Sequence, residues 1–335
     1  MLNNRYVYID NVKFIGLILI LFCHIPMPIN IFHDIIYAFH VPLFFIISGL
    51  FIKPTTTIKE SITKDFNRLI IPYITFNVIL ICIQSIIDFF YGFDFYNCIL
   101  SPIIGIFYGS SKSSCPYPLL AGPSWFLVAL FIAKNIALIV LKIKKQYQII
   151  SCIIILLLYY ILNDLFTYHI LSFDSALLGA LFVLFGYYLR KRVINLPNLT
   201  QKKYFYSILL LLLLSPILAC NGISNMFKGE FGNNIILFFV NGLVGSLLLL
   251  LLCAKINFQS NFLKIIIGGS IFFIVFHTFI MEYVMLIYKK IMFLLTKVPI
   301  LEVNIIEKCI ITIITTLIIY LILKVFKSKI PILYR

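Results

Sequence analysis

Long apolar runs dominate the chain, separated by short polar stretches. Runs of about 20 apolar residues suffice to cross a bilayer as a helix. They fall near residues 12–28, 35–52, 68–90, 123–142, 147–164, 173–190, 204–221, 233–253, 264–288 and 305–326. The pattern predicts an all-α polytopic membrane protein of about ten transmembrane helices, with residues 1–335 forming one membrane domain. Pro26 and Pro28 are expected to end the first helix early, because proline has no N–H to give and its ring clashes with the preceding turn. No cleavable signal peptide is expected, since the first run lacks a small-residue cleavage site and leads straight into the second. The longest connection, near 91–122, holds the turn-rich stretch GSSKSSCPYP and reads as a loop.

Composition supports this reading. The chain is 62% hydrophobic and 12% charged, with mean hydropathy +1.08. A soluble domain carries about 25% charged residues. The positive-inside rule then tests the count. With a cytoplasmic N-terminus, 20 of the 27 basic residues fall on the cytoplasmic side and six outside, with Lys134 inside a span. Both termini are therefore expected in the cytoplasm and residues 91–122 outside. The net charge of +15 is accounted for by topology and requires no nucleic acid. The eight cysteines form no CxxC pair; Cys98 and Cys115 share the outer connection, and spacing leaves their pairing open.

Against this apolar background the ionisable residues stand out, because such a side chain in a bilayer is costly and marks a candidate site. Lys13 and His24 are eleven residues apart. On a helix that is three turns plus roughly 20°, so both share one face about 16 Å apart. Asp10 falls within about 40° of the same face. A stripe bearing both signs points to a lined cavity, and a neutral imidazole there can serve as general base. Packing glue between helices is the plainer role for a membrane histidine. His40, in AFHVPLFFIISG, is expected near the outer start of the second span, at a depth similar to His24; His33 reads as a solvated loop residue, and Pro42 suits a first helical turn. Ser48-Gly49 allows close helix packing. Two histidines without a suitably spaced acid or cysteine do not make a metal site, so none is expected. Arg68 opens the third span beside Lys64 and reads first as a snorkelling anchor. Trp125, after Ser124, suits an interfacial anchor. His277 lies mid-span and Asp174 at a solvated edge. Motifs of serine hydrolases, NTPases, dinucleotide enzymes and zincins are missing.

RYVYIDNVKFIGLILILFCH, FHVPLFFIISGLF, NRLIIPY, SWFLVALF and GSIFFIVFH, in that order, resemble the blocks of the membrane-bound acyltransferase family 3. The second and fourth look most like its fucose 4-O-acetylase branch. The resemblance implies an O-acetyltransferase of a bacterial inner membrane that acts on a surface or lipid-linked glycan, with acetyl-CoA as donor. It implies His24 as the catalytic base, with Asp10 and His40 nearby in role, and Lys13, Arg68 and Lys64 toward the donor. Trp125, Ser124 and His277 would serve the acceptor or the scaffold. Many members carry Arg-x-x-Arg where this chain has Asp65-x-x-Arg68. No fused esterase-like domain is seen, which suggests a standalone member. The rival class is a transporter or flippase for a lipid-linked saccharide, or a non-catalytic part of its export machinery.

The charge split yields a topological prediction. Reporter fusions at the C-terminus should read cytoplasmic and a fusion near Ser111 should read external; a cytoplasmic signal at Ser111 would refute the arrangement.

Overall fold

A computed structural model describes residues 6–26, 31–92, 94–110, 112, 114–222, 224–297 and 302–329; the side chains of 31, 32 and 215–220 are also outside the description. Arg5, Pro28, Ser111 and Arg335, used in the topology above, therefore lie outside the described residues, as does the Cys220 side chain.

The fold is all-α. In chain order the helices are α1 (Val7–His24), α2 (Ile31–Gly49), α3 (Ile58–Asp65), α4 (Ile71–Gly92), α5 (Ser101–Tyr108), α6 (Trp125–Lys142) and α7 (Lys145–Leu165). They continue as α8 (Phe173–Ile194), α9 (Gln201–Cys220), α10 (Ile235–Ala254), α11 (Asn261–Gly268), α12 (Ser270–Thr296) and α13 (Ile305–Lys329). One pair of two-residue strands, Ser224–Asn225 and Glu230–Phe231, lies between α9 and α10. The expected apolar runs fall mostly on helix among the described residues, with 264–288 divided between α11 and α12 at Gly269. Among the described residues, eight helical stretches are long and apolar enough to cross a membrane. The other two runs are α2, whose described apolar stretch is only His33–Gly49, and α9, whose last side chains are undescribed.

Several local expectations are corrected. The 91–122 segment is not an open loop: Tyr96–Tyr108 forms a short apolar helix, a π-helical turn leading into α5. Gly109 ends α5 in the left-handed conformation, φ 58°, and returns its N–H to Gly105 O at 2.9 Å. Helix α2 begins earlier than the run suggested, so His40 and Pro42 are interior and His33 is helical. His33 and Asp34 satisfy each other at 3.3 Å, and the His33 ring stacks on Tyr37 one turn later. That is how a polar pair is tolerated in the first turn. Asp174 is buried rather than solvated. Cys98 and Cys115 are both free; burial raises the Cys115 thiol pKa.

The residues form two compact units that interleave in sequence. The first comprises Met1–Leu43, Val193–Ser224 and Phe231–Arg335. Here α1 packs against α10, α11, α12 and α13. Leu17, Leu21, Phe238, Phe273 and Ile311 are fully buried. The start of α1 is pinned by Tyr8, which donates to Val193 O at 2.7 Å, and by Asn11, which donates to Ile256 O at 2.9 Å. The start of α13 is set by a reciprocal cap: the Ile306 and Glu307 amides donate to Asn304 Oδ1, and the Asn304 amide donates to Glu307 Oε2 at 2.8 Å.

The second unit comprises Phe44–Arg192 and Asn225–Glu230. Its core depends on close approach of α2 and α8. A side chain at Gly49 would strike the Val183 carbonyl, and one at Gly186 the Ile46 carbonyl. The Ser48-Gly49 expectation thus holds for Gly49. Polar groups are answered in pairs. Lys134 meets Asp65 at 2.5 Å, Lys112 meets Asp174 at 2.6 Å, and Asn77 exchanges hydrogen bonds with Ser124.

The Lys134–Asp65 pair gives a stability prediction. Asp65 is almost fully buried. Removing one partner of a buried pair costs about 3–5 kcal/mol, because the other charge is left uncompensated. Asp65→Asn should lower the unfolding midpoint in detergent, and Asp65→Asn with Lys134→Met should lose less than Asp65→Asn alone.

Candidate functional site

The first unit holds four of the five histidines, and three of them, His24, His40 and His277, carry the candidate site. His24 is the last residue of α1; its Nδ1 donates to Ile20 O at 2.8 Å. His40 donates from Nδ1 to Ile36 O at 3.0 Å. His277 on α12 donates from Nδ1 to Phe273 O and Ile274 O, both at 3.0 Å. Each ring is thus held by a carbonyl of its own helix. A carbonyl accepts only, so Nδ1 carries the proton and Nε2 keeps the lone pair in the neutral ring.

The rings also meet one another. His24 and His277 pack edge to face with centroids 4.9 Å apart. Tyr37 stands between His24 and His40, at 6.4 and 4.8 Å. His277 is fully buried and its Nε2 has no hydrogen-bond partner. His40 is 4% exposed, whereas His24 is half-buried. Of these three, His24 keeps the most exposure.

Lys308 is a member of the cluster that the sequence reading placed among the outside charges. It is 1% exposed, with Nζ 4.5 Å over the Phe22 ring, and lies close enough to His24 and Cys23 to act on both electrostatically. The neighbouring Glu307 does not neutralise it, since that carboxylate accepts from the Asn304 amide and from Tyr288 Oη at 3.0 Å. Among the described residues no carboxylate pairs with Lys308. One signal was available in sequence: Lys308 lies only three residues into a long apolar run, where a cation has little room to reach water.

The remaining candidates are arranged differently. Asp10 is in the first turn of α1 and His24 is its last residue. Fourteen residues separate them, about 21 Å of helix. The His24 ring is therefore oriented by the Ile20 carbonyl and not by Asp10. Lys13 and Asp10 are half-buried along α1. Arg68, Lys64, Trp125 and Ser124 belong to the second unit. Arg68 is exposed on a π-helical turn, Phe66–Ile70, that joins α3 to α4; such turns recur at functional sites. Asp65 has a structural partner in Lys134, and Lys64 and Arg68 lie close enough to act on that lysine. Trp125 is 6% exposed and stacks on Phe227 at 5.7 Å, so it is buried packing and not an interfacial anchor. Ser124 is fully buried against Asn77. No group of three or more metal-ligating side chains occurs among the described residues.

What the cluster can do follows from its parts. A partly exposed imidazole with a free lone pair can remove a proton from a hydroxyl, and an adjacent lysine, when protonated, can offset negative charge that develops on an attacked carbonyl. These are the requirements of acyl transfer. No curated protein and no solved structure matches the chain. The model of an acyltransferase domain matches residues 6–324, nearly the whole chain and both units. On that match, with the order of helices and motifs that carries it, the chain belongs to acyltransferase family 3.

Proposed function

We propose that this acyltransferase is an O-acetyltransferase, with acetyl-CoA as donor and a sugar hydroxyl of a surface or lipid-linked glycan as acceptor, and that His24 is its general base. The observation that carries the reading is the half-buried His24 ring, whose Nδ1 is committed to Ile20 O so that Nε2 is available as base. His24 Nε2 takes the proton as the hydroxyl oxygen attacks the thioester carbon. The carbonyl becomes an oxyanion, whose charge Lys308 offsets. Collapse breaks the carbon–sulfur bond, and the thiolate leaves with the proton from the imidazolium. His40 and His277, both buried, hold the His24 ring through Tyr37 and through direct packing. Apolar walls limit wasteful hydrolysis of the thioester. Lys64 and Arg68 are the cations that the family resemblance assigns to the donor phosphates, where arginine matches best. The protein would reside in a bacterial inner membrane with both termini in the cytoplasm.

Mass spectrometry of surface glycans with and without the gene tests the reaction class: an acetyl increment on a sugar that disappears with the gene is expected. His24→Ala should lower transfer about 100-fold or more while insertion stays normal; near-normal acetylation by well-expressed protein would remove His24 from the mechanism. Lys308→Met should lower kcat by about 100-fold with the donor KM little changed, and Lys308→Arg should recover part of the loss. Arg68→Ala should raise the donor KM and spare the acceptor KM, since a charged hydrogen bond is worth about 1.5–3 kcal/mol. Wild-type acetyl-CoA affinity in Arg68→Ala would leave that residue only an anchoring role.

A further inference from the structure

The second unit contains a cleft of about 540 Å³ where α6, α7 and α8 meet. It is lined by three cations, Lys145, Arg190 and Lys191, together with Gln148 and the Tyr187–Tyr188 pair, and no carboxylate lines it. Among the described residues none of the three cations forms an ion pair. The floor is preorganised by Gln148. Its Nε2 donates to Leu141 O and Ile143 O, at 3.4 and 2.9 Å, and its Oε1 accepts from Tyr188 Oη. One amide thus ties the end of α6 to α7 and α8. It also occupies two carbonyls at the negative end of α6, which would otherwise repel an anion.

The two-residue turn Ile143–Lys144 aims the start of α7 at the same space. That helix has 21 residues and no side-chain cap, so first-turn N–H groups add to the positive field of the cations. Below Lys145 the wall of α7 is apolar and exposed: Ile149 is 73% and Ile153 53% exposed. A charged pocket at the head of a greasy helix face suits a ligand with an anionic head and apolar tails.

We infer that this cleft binds a phosphate-ester head group, supplied in the first place by an anionic phospholipid. Basic pockets between membrane helices bind such heads, and arginine presents a fork that fits two phosphate oxygens. The plainer account makes Arg190 and Lys191 topological anchors that complement the end of α8. That account explains the charges. It does not explain a concave site, a Gln–Tyr floor that joins three helices, or the lack of acidic residues among basic ones. The inference goes beyond the acyltransferase reading and does not rest on it.

The test uses the full chain purified in neutral detergent, with native mass spectrometry as readout and phosphatidylglycerol, phosphatidylcholine or coenzyme A added in turn. Phosphatidylglycerol should be retained at least tenfold more strongly than phosphatidylcholine. Lys145→Gln with Arg190→Gln should abolish that preference, and His24→Ala, which lies outside the cleft, should leave it intact. The substituted side chains are half-buried or exposed, so helicity measured in parallel should stay at the wild-type level. If coenzyme A and not the lipid loses binding in the double variant, the phosphate site stands and its source is the soluble donor. Equal retention of both lipids with no coenzyme A effect, or an undiminished preference in the folded double variant, would overturn the inference.

Discussion

The hydrocarbon core offers no water to polar groups, so each one must be answered within the chain. This constraint organises the structure more than any single packing contact. Lys134 has Asp65, Lys112 has Asp174, and Asn77 has Ser124. Tyr8 and Asn11 fix the start of α1 by donating to distant backbone carbonyls. Even the histidines follow the rule with one nitrogen each, bonded to the previous turn. Some buried polar atoms remain without a hydrogen-bond partner, among them Asn135 Oδ1, His169 Nε2 and Thr315 Oγ1 as well as groups of the candidate site. Lys308 has no carboxylate among the described residues, and the buried His277 Nε2 has no hydrogen-bond partner. Unpaired polarity of this kind is costly in a membrane and is retained where chemistry needs it.

Three rings are fixed in the same tautomer by the same geometry, and burial separates their roles. His277 and His40 are enclosed, and His24 is partly exposed. Glu307, next to Lys308 in sequence, is engaged by the cap of α13 and by Tyr288.

Much of this was legible in the sequence because it is written in local pattern. Hydropathy found each long helix, since length and apolarity are properties of consecutive residues. His24, His40 and His277 stood out as ionisable residues in apolar runs. The failures share a cause: partners distant in sequence leave no local trace. Asp174 read as solvated because Lys112 is 62 residues away, and Asp65 read as a lost arginine because Lys134 is 69 away. The charge of Lys308 was counted toward topology, whereas its buried place depends on where Phe22 lies in space. Asp10 shows the opposite error. Angular spacing set it on the His24 face, but about 21 Å of helix separates the two, and a shared face is not a contact. Helix α2 includes the contacting pair His33 and Asp34, which a hydropathy run treats as an interruption.

The central claim is that one histidine of the cluster does the chemistry and the others position it. The most direct test compares His24→Ala, His40→Ala and His277→Ala in one assay, transfer of labelled acetyl from acetyl-CoA to isolated envelope glycan by purified, correctly folded protein. The account predicts that His24→Ala loses transfer by about 100-fold or more, while the other two retain measurable turnover with a smaller loss in kcat. Transfer by His24→Ala equal to that of His40→Ala or His277→Ala would contradict it.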